Sequence, residues 1–115
     1  MHEMSVAQSI LEIIRQELGK HGLSRLDTVV VKAGRLAGIV PDALLFAWEV
    51  LTKDDEFDGS KLVIEEIPLV LRCGSCGEEF TSETNMLFPC PRCGEELGHA
   101  ILSGREMYIE KVEAE

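Results

Sequence analysis

The chain has 115 residues, the size of one domain or of a domain with a small appendage. Its 11 Lys and Arg against 21 Asp and Glu give a formal net charge of −10, which excludes a basic nucleic-acid-binding footprint. The most apolar stretch, 39–51, contains a proline and two acidic residues and is too short to span a membrane. His2 and Glu3 stand where a signal peptide would carry basic residues, so we expect a cytoplasmic protein.

The chain opens with a helical pattern. Ser5 followed by Gln8 matches a capping box, which predicts Ser5 as the N-cap and leaves His2 outside the helix on a free end. Gly19 and Gly22 are stop signals. The apolar residues at helical spacing, which form one face, are Ala7, Ile10, Leu11, Ile14 and Leu18.

The free amino end carries a candidate metal chelate. The α-amine of Met1, the backbone nitrogen of His2 and the His2 imidazole can close fused chelate rings on one ion. Several nitrogens in a plane favour Ni(II) or Cu(II). Glu3 or a distant residue such as His99 would supply a fourth ligand. The alternative is that His2 is simply a solvated terminal histidine and His99 a plain surface residue.

Three elements precede the cysteines. A valine-rich run predicts a strand over 26–33, and Pro41 suits the first turn of a second helix. A second long strand is predicted over 62–71, where Pro68 indicates an edge position or a bend. Between the second helix and this strand, residues 54–60 are predicted to form an acidic, solvated turn. The predicted inner face of the second helix, with Trp48 in the core, consists of Leu44, Leu45, Trp48 and Leu51.

Cysteine gives the most specific pattern in the chain. Cys73-x2-Cys76 is followed, after 13 residues, by Cys90-x2-Cys93. Two disulfides are an alternative, but no secretion signal supports an oxidising compartment. Two CxxC pairs at this separation predict a tetrahedral four-thiolate site, and a closed site of that kind is typical of structural zinc. Iron in a rubredoxin-like site fits the same spacing and stays open.

The elements together predict an α+β fold, with two helices packed on a small three-stranded mixed sheet and an inserted four-cysteine zinc-ribbon module. Short ribbon strands are expected at 78–81 and 86–88, and a final strand at 106–112. The strands that flank the ribbon are expected to be neighbours. The predicted domains are an α/β domain that carries the amino-terminal chelate, 1–70 plus 104–115, and a zinc-binding domain, 71–103; the resemblance described next makes the first of these the nickel-binding domain.

The sequence resembles the HypA family of [NiFe]-hydrogenase maturation proteins along essentially the whole chain. An MHE start combined with four late cysteines is specific, although either alone would be weak. The matching segments are MHEMSVAQS at 1–9, GRLAG at 34–38, PDAL with Phe46, Trp48, Glu49 and Val50 within 41–50, the two CxxC pairs, and LSGRE at 102–106.

This resemblance implies a non-enzymatic nickel metallochaperone. It implies that Ni(II), a transient cargo, binds at the N-terminus through His2, and that the four cysteines hold structural Zn(II). Taken with the chelate described above, this makes His2 and the Met1 amine the principal expected nickel ligands, with Glu3 in support. It also implies delivery of nickel toward a hydrogenase large subunit with the GTPase HypB, and some members also serve urease. Some members carry a histidine after each CxxC pair that is tied to a pH response, but this chain has Gly77 and Gly94 there. The alternatives are an iron-containing electron-transfer protein and an adaptor that docks partners through its zinc ribbon.

Overall fold

A computed structural model of the protein describes residues 2–82 and 88–115. Within this part of the chain, no helix is both long enough and apolar enough to cross a membrane. The elements in chain order are α1 (His2–Lys20), β1 (Leu26–Gly34), a 3-10 turn (Arg35–Ala37), α2 (Pro41–Thr52), β2 (Lys61–Ile67), β3 (Leu69–Arg72), β4 (Glu79–Ser82), β5 (Ala100–Ser103) and β6 (Met107–Ala114). Two helices, two small sheets and a four-cysteine ribbon confirm the predicted fold class.

The chain forms two compact units. The helical unit comprises 1–32, 39–65 and 108–115, and the cysteine unit comprises 33–38 and 66–107. The assignment of nickel to one predicted domain and zinc to the other stays a prediction.

The core of the helical unit lies where α1 packs on α2. The predicted apolar face of α1 is buried, as are Val29 and Val31 of β1. Trp48 is buried as predicted, and its indole N–H donates a hydrogen bond to Ser60 Oγ at 3.1 Å. The acidic turn at 54–60 is more than a solvated loop, because Arg15 pairs with two of its carboxylates and lies over the buried ring of Phe57.

The first sheet has the strand order β2-β1-β6. Arg25 and Glu115 exchange backbone hydrogen bonds of 3.0 and 2.8 Å, and at the other end the Gly34 N–H donates to the Glu106 carbonyl at 2.7 Å. These bonds make β1 and β6 antiparallel. The expectation that the strands flanking the ribbon are neighbours is wrong for β2 and β6, because β1 lies between them.

The single long strand predicted over 62–71 is also wrong. It divides at Pro68 into β2 and β3, which belong to different sheets. Proline has no N–H to continue the hydrogen-bonded ladder, so the strand can change partners at this point. The bend that Pro68 indicated is therefore a complete change of sheet.

The second sheet has the order β4-β3-β5, and both pairs are antiparallel. β4 confirms the first predicted ribbon strand, displaced by one residue. Of the second, residues 86 and 87 lie outside the described residues, and Phe88 is in no strand. β5 was not predicted from the sequence. The core of this sheet lies on its central strand, β3, where Leu69 and Leu71 are fully buried.

A close backbone contact explains why 33–38 belongs to the cysteine unit. A Cβ atom on Gly34 would lie 2.1 Å from the carbonyl oxygen of Gly104. The same carbonyl accepts a hydrogen bond of 2.7 Å from the Leu36 N–H. Only glycine at position 34 allows the two segments to approach this closely.

Candidate metal centres

The four cysteine sulfurs converge on one point. They all lie within 4.8 Å of one another, with 3.5 Å between the sulfurs of Cys73 and Cys93 and 3.6 Å between those of Cys76 and Cys90. A tetrahedron with metal–sulfur bonds of about 2.3 Å has edges of about 3.8 Å. All four thiols are free, and a disulfide would need about 2.05 Å. The spacing therefore fits a four-thiolate metal site rather than two disulfides.

Two turns of the same backbone design place these sulfurs. A glycine with positive φ ends each turn, Gly77 at 78° and Gly94 at 79°, a conformation that side-chain-bearing residues rarely adopt. Each turn is closed by two backbone hydrogen bonds: Cys73 N–H to Glu78 O (2.8 Å) and Gly77 N–H to Cys73 O (3.0 Å), then Cys90 N–H to Glu95 O (2.9 Å) and Gly94 N–H to Cys90 O (2.8 Å). The first cysteine of each turn is buried and the second is exposed.

The thiols differ in their electrostatic environment. The backbone N–H groups of Cys76 and Ser75 donate to Cys73 Sγ, at 3.5 and 3.4 Å. These bonds, led by that of Cys76, lower the pKa of Cys73 to about 6. The N–H of Glu95 favours the Cys93 thiolate, but the neighbouring sulfurs and partial desolvation outweigh it and raise the pKa of Cys93 to about 12. Four thiolates at this spacing repel one another, so a cation has to be bound for all of them to ionise.

The donor set fits zinc, and it fits iron equally well. All four positions of a tetrahedron are filled by protein sulfur, which leaves none for a substrate. A metal bound there would cross-link the two turns. The site can therefore hold a metal but offers no open position for a substrate.

His99 lies beside the two turns, in the cysteine unit. Its Nδ1 lies 3.3 Å from the Gly74 nitrogen and its Nε2 lies 2.7 Å from the Glu95 carbonyl oxygen. The ring also meets Phe80 edge-on, with 5.3 Å between centroids. His99 is thus half-buried and contacts the backbone through both ring nitrogens, unlike the plain surface histidine that was the alternative.

The structure corrects the predicted start of the first helix. α1 begins at His2, so the expectations that His2 lies outside the helix and that Ser5 is its N-cap are wrong. The Ser5 hydroxyl donates to the His2 carbonyl at 2.9 Å, as in a residue already inside the first turn. Met1 lies outside the described residues.

Glu3 and His2 have opposite environments. Glu3 is 8% exposed, and its carboxylate accepts a hydrogen bond of 3.2 Å from the Val40 N–H at the start of α2. This bond, with that from its own backbone N–H, lowers the pKa of Glu3. The His2 side chain is 58% exposed, and its Nε2 lies 3.6 Å from the same carboxylate. The predicted pair therefore consists of one accessible imidazole and one buried carboxylate beside it.

Comparison with known proteins gives a consistent result. The sequence model described as "Hydrogenase/urease nickel incorporation, metallochaperone, hypA" matches residues 1–114. The hydrogenase maturation factor HypA of Solidesulfovibrio magneticus is 52% identical over 117 positions, and that of Lawsonia intracellularis is 42% identical over 118. Both alignments cover 100% of each chain.

Two solved structures share the fold. The solution structure of the Ni metallochaperone HypA from Helicobacter pylori matches with a TM-score of 0.64 and 23% identity, covering 99% of this chain and 97% of that one. A second HypA solution structure matches with a TM-score of 0.69 and 23% identity, covering 99% and 96%. The full-length sequence matches and the shared fold together place the chain in the HypA family of hydrogenase and urease nickel-incorporation metallochaperones, which are maturation factors rather than enzymes.

Proposed function

We propose that this protein binds Ni(II) at its amino terminus and delivers it, in the cytoplasm, to the large subunit of a [NiFe]-hydrogenase. The maturation GTPase HypB is its proposed partner in delivery. The observation that carries the proposal is the exposed His2 imidazole at the start of α1, beside the buried Glu3 carboxylate. Membership of a nickel-incorporation family supports nickel as the cargo.

The proposed ligands are the Met1 α-amine, the His2 backbone nitrogen and the His2 imidazole. The first N–H groups of an α-helix have no acceptor within the helix. Because His2 is the first residue of α1, its backbone nitrogen can bind a metal without breaking a helical hydrogen bond. A helix that starts at His2 is therefore compatible with the chelate.

Glu3 supports the site by orienting His2. Its carboxylate is fixed by the Val40 N–H and faces His2 Nε2 at 3.6 Å. A carboxylate beside one ring nitrogen favours a proton on that nitrogen and leaves the other free as a ligand. In a fused chelate with the backbone, the ring nitrogen that reaches the ion is Nδ1. Glu3 thus selects the tautomer that the chelate needs.

We also propose that Cys73, Cys76, Cys90 and Cys93 hold structural Zn(II). The convergence of four free sulfurs within 4.8 Å supports a metal there, and the closed donor set supports a structural role. When bound, zinc supplies a cross-link between two turns that are far apart in sequence. A red, redox-active iron protein would favour the electron-transfer alternative instead.

The nickel proposal is tested by titrating Ni(II) into four zinc-loaded proteins. These are the native chain, His2→Ala, a chain extended by one residue before Met1, and His21→Ala. The extension keeps the imidazole but removes the α-amine from its place in the chelate. His21 is a matched control, because it is an exposed histidine just beyond the other end of the same helix.

We expect His2→Ala and the extended chain to bind nickel at least about a hundredfold more weakly, since each loses one arm of a multidentate chelate. His21→Ala should bind like the native chain, and zinc content should be constant throughout. Equal nickel affinity in the extended and native chains would refute the chelate. Indifference of nickel binding to both changes at the terminus would favour the adaptor alternative.

A further inference from the structure

We propose that His99 is a positioning residue for the four-cysteine site, bridging the two cysteine turns through both of its ring nitrogens. It is not itself a metal ligand in this role. The inference rests on the proposed zinc site, because the role given to His99 is to hold together the two cysteine turns that form that site.

The partners of His99 define which ring nitrogen carries the proton. A carbonyl oxygen can only accept, so the Nε2 that lies 2.7 Å from the Glu95 oxygen must carry a hydrogen. A backbone N–H can only donate, so the Nδ1 that lies 3.3 Å from the Gly74 nitrogen must present its lone pair. Both contacts are satisfied by one neutral tautomer.

These two contacts join the two turns. Gly74 directly follows Cys73 in the first turn, and Glu95 follows the glycine that ends the second. The Glu95 carbonyl also accepts the Cys90 N–H at 2.9 Å, so His99 binds to the oxygen that closes the second turn. The imidazole therefore links the frameworks of the two turns without using any sulfur.

The backbone around His99 is shaped for this bridge. A Cβ atom on Gly74 would lie 2.2 Å from the Gly98 carbonyl oxygen, so the segment that carries His99 crosses directly against the first turn. Gly98 has a φ of 78°, which turns the chain back toward that crossing. Phe80 on β4 meets the imidazole edge-on at an interplanar angle of 87° and fixes its plane.

A bridge of this kind should slow the loss of metal. With one thiolate detached, the two turns can separate and release the ion unless something else holds them together. His99 provides that hold, in the way that residues around metal ligands commonly tune affinity by about 10- to 100-fold.

The test measures zinc transfer from the full-length, zinc-loaded protein to an excess of a zinc-chelating dye at neutral pH. The variants are His99→Ala, His99→Asn, His99→Gln and, as a control in the helical unit, His21→Ala. Asparagine keeps an acceptor near the position of Nδ1, and glutamine keeps a donor near that of Nε2. Zinc per chain is measured first on every protein.

We expect His99→Ala to release zinc at least about tenfold faster than the native chain, with Asn and Gln at intermediate rates and His21→Ala unchanged. Release from His99→Ala at the native rate would overturn the inference. So would Asn and Gln variants as fast as Ala, since packing against Phe80 rather than hydrogen bonding would then explain the effect.

A second measurement does not depend on any variant folding. Nitrogen NMR of the native, zinc-loaded chain should show the neutral His99 tautomer with its proton on Nε2, whereas a proton on Nδ1 would contradict the bridge. The outcomes also separate the two proposals. A native chain without zinc defeats the zinc site itself, whereas a zinc-loaded chain with the wrong tautomer defeats only the role of His99.

Discussion

The four-cysteine cluster and the amino-terminal pair of His2 and Glu3 are built in opposite ways. The cluster brings together two turns separated by 13 residues, and two of its four sulfurs are buried. The terminal pair lies at one helix end, where a single exposed imidazole stands beside a carboxylate held by Val40. Many converging donors retain an ion, and few accessible donors let it leave. The contrast is the one that the proposed function requires, with a resident zinc in the cluster and a nickel cargo at the terminus.

The largest expected effect is the loss of the cluster. Cys76→Ser should reduce zinc from about one ion per chain to nearly none, because three sulfurs leave one corner of the tetrahedron open. The cysteine unit should then lose its fixed structure while the helices of the other unit persist. Metal analysis and amide NMR signals of the two units would measure this.

The matched control for that change is Ser75→Ala. Ser75 contributes its backbone N–H to Cys73 Sγ, and alanine retains that group. We expect native zinc content in this variant. Native zinc content in Cys76→Ser as well would contradict the four-thiolate assignment.

The next largest effect is expected at the close backbone contact between Gly34 and Gly104 in the cysteine unit. Gly34 has φ −72° and ψ 155°, which alanine adopts freely, so Gly34→Ala tests only the collision with the Gly104 carbonyl 2.1 Å away. We expect a loss of about 3 kcal/mol in the free energy of unfolding, because backbone rather than a flexible side chain must move. Urea unfolding of the zinc-loaded protein would measure it.

Gly19→Ala is the counterpart in the helical unit. It lies within α1 and has nothing within 4 Å of an added Cβ. Alanine should stabilise the protein by up to about 1 kcal/mol, through its higher helix propensity. A similar loss of stability in both glycine variants would mean that the close contact at Gly34 is not what makes alanine unfavourable there.

The sequence predicted the elements whose signals are local. The apolar face of α1, the β1 strand, the start of α2 at Pro41 and the glycines that end both CxxC turns follow from short-range spacing, and the structure shows all of them. Pro68 was recognised as a disturbance of its strand. Its consequence, a change from one sheet to the other, depends on which strands are available as partners elsewhere in the chain.

The features that were missed depend on distant residues. No local pattern pairs His99 with Gly74, which lies 25 residues earlier. Glu3 contacts Val40 across 37 residues, and that contact accompanies a helix that starts before the capping-box serine. The local capping signal alone therefore did not locate the start of the helix. The glycines in and after the CxxC turns could have suggested close backbone approaches. Of Gly74, Gly77 and Gly94, however, only Gly74 has another segment packed against it.

A smaller effect is expected at the terminal pair. Glu3→Gln should weaken nickel binding by about tenfold, since a neutral amide orients the His2 imidazole less strongly than a carboxylate. Glu12→Gln, on the exposed side of the same helix, should leave nickel affinity unchanged. Calorimetric titration of Ni(II) into both variants would compare them, and equal affinities would exclude a role for the Glu3 charge.

The Glu3 contact also has a defined pH dependence. Because the Val40 N–H lowers the pKa of Glu3, the stabilisation by its carboxylate is fully present above the ordinary carboxyl pKa and is lost as the pH falls through the lowered value. Nickel affinity should also fall on acidification, because protons compete with the metal for its nitrogen ligands. NMR of the Glu3 carboxyl carbon against nickel affinity would separate the two transitions, and a Glu3 transition at or above the ordinary pKa would contradict the contact.

The smallest expected effect distinguishes the two possible starts of α1. If Ser5 were the N-cap, Ser5→Ala would cost about 1 kcal/mol. In the structure its hydroxyl donates to the His2 carbonyl from inside the first turn, at an exposed position. Ser5→Ala should therefore change the free energy of unfolding by less than about 0.5 kcal/mol, with unchanged nickel affinity. A loss near 1 kcal/mol would return His2 to a free end outside the helix, where neither Glu3 nor the helix fixes the chelate.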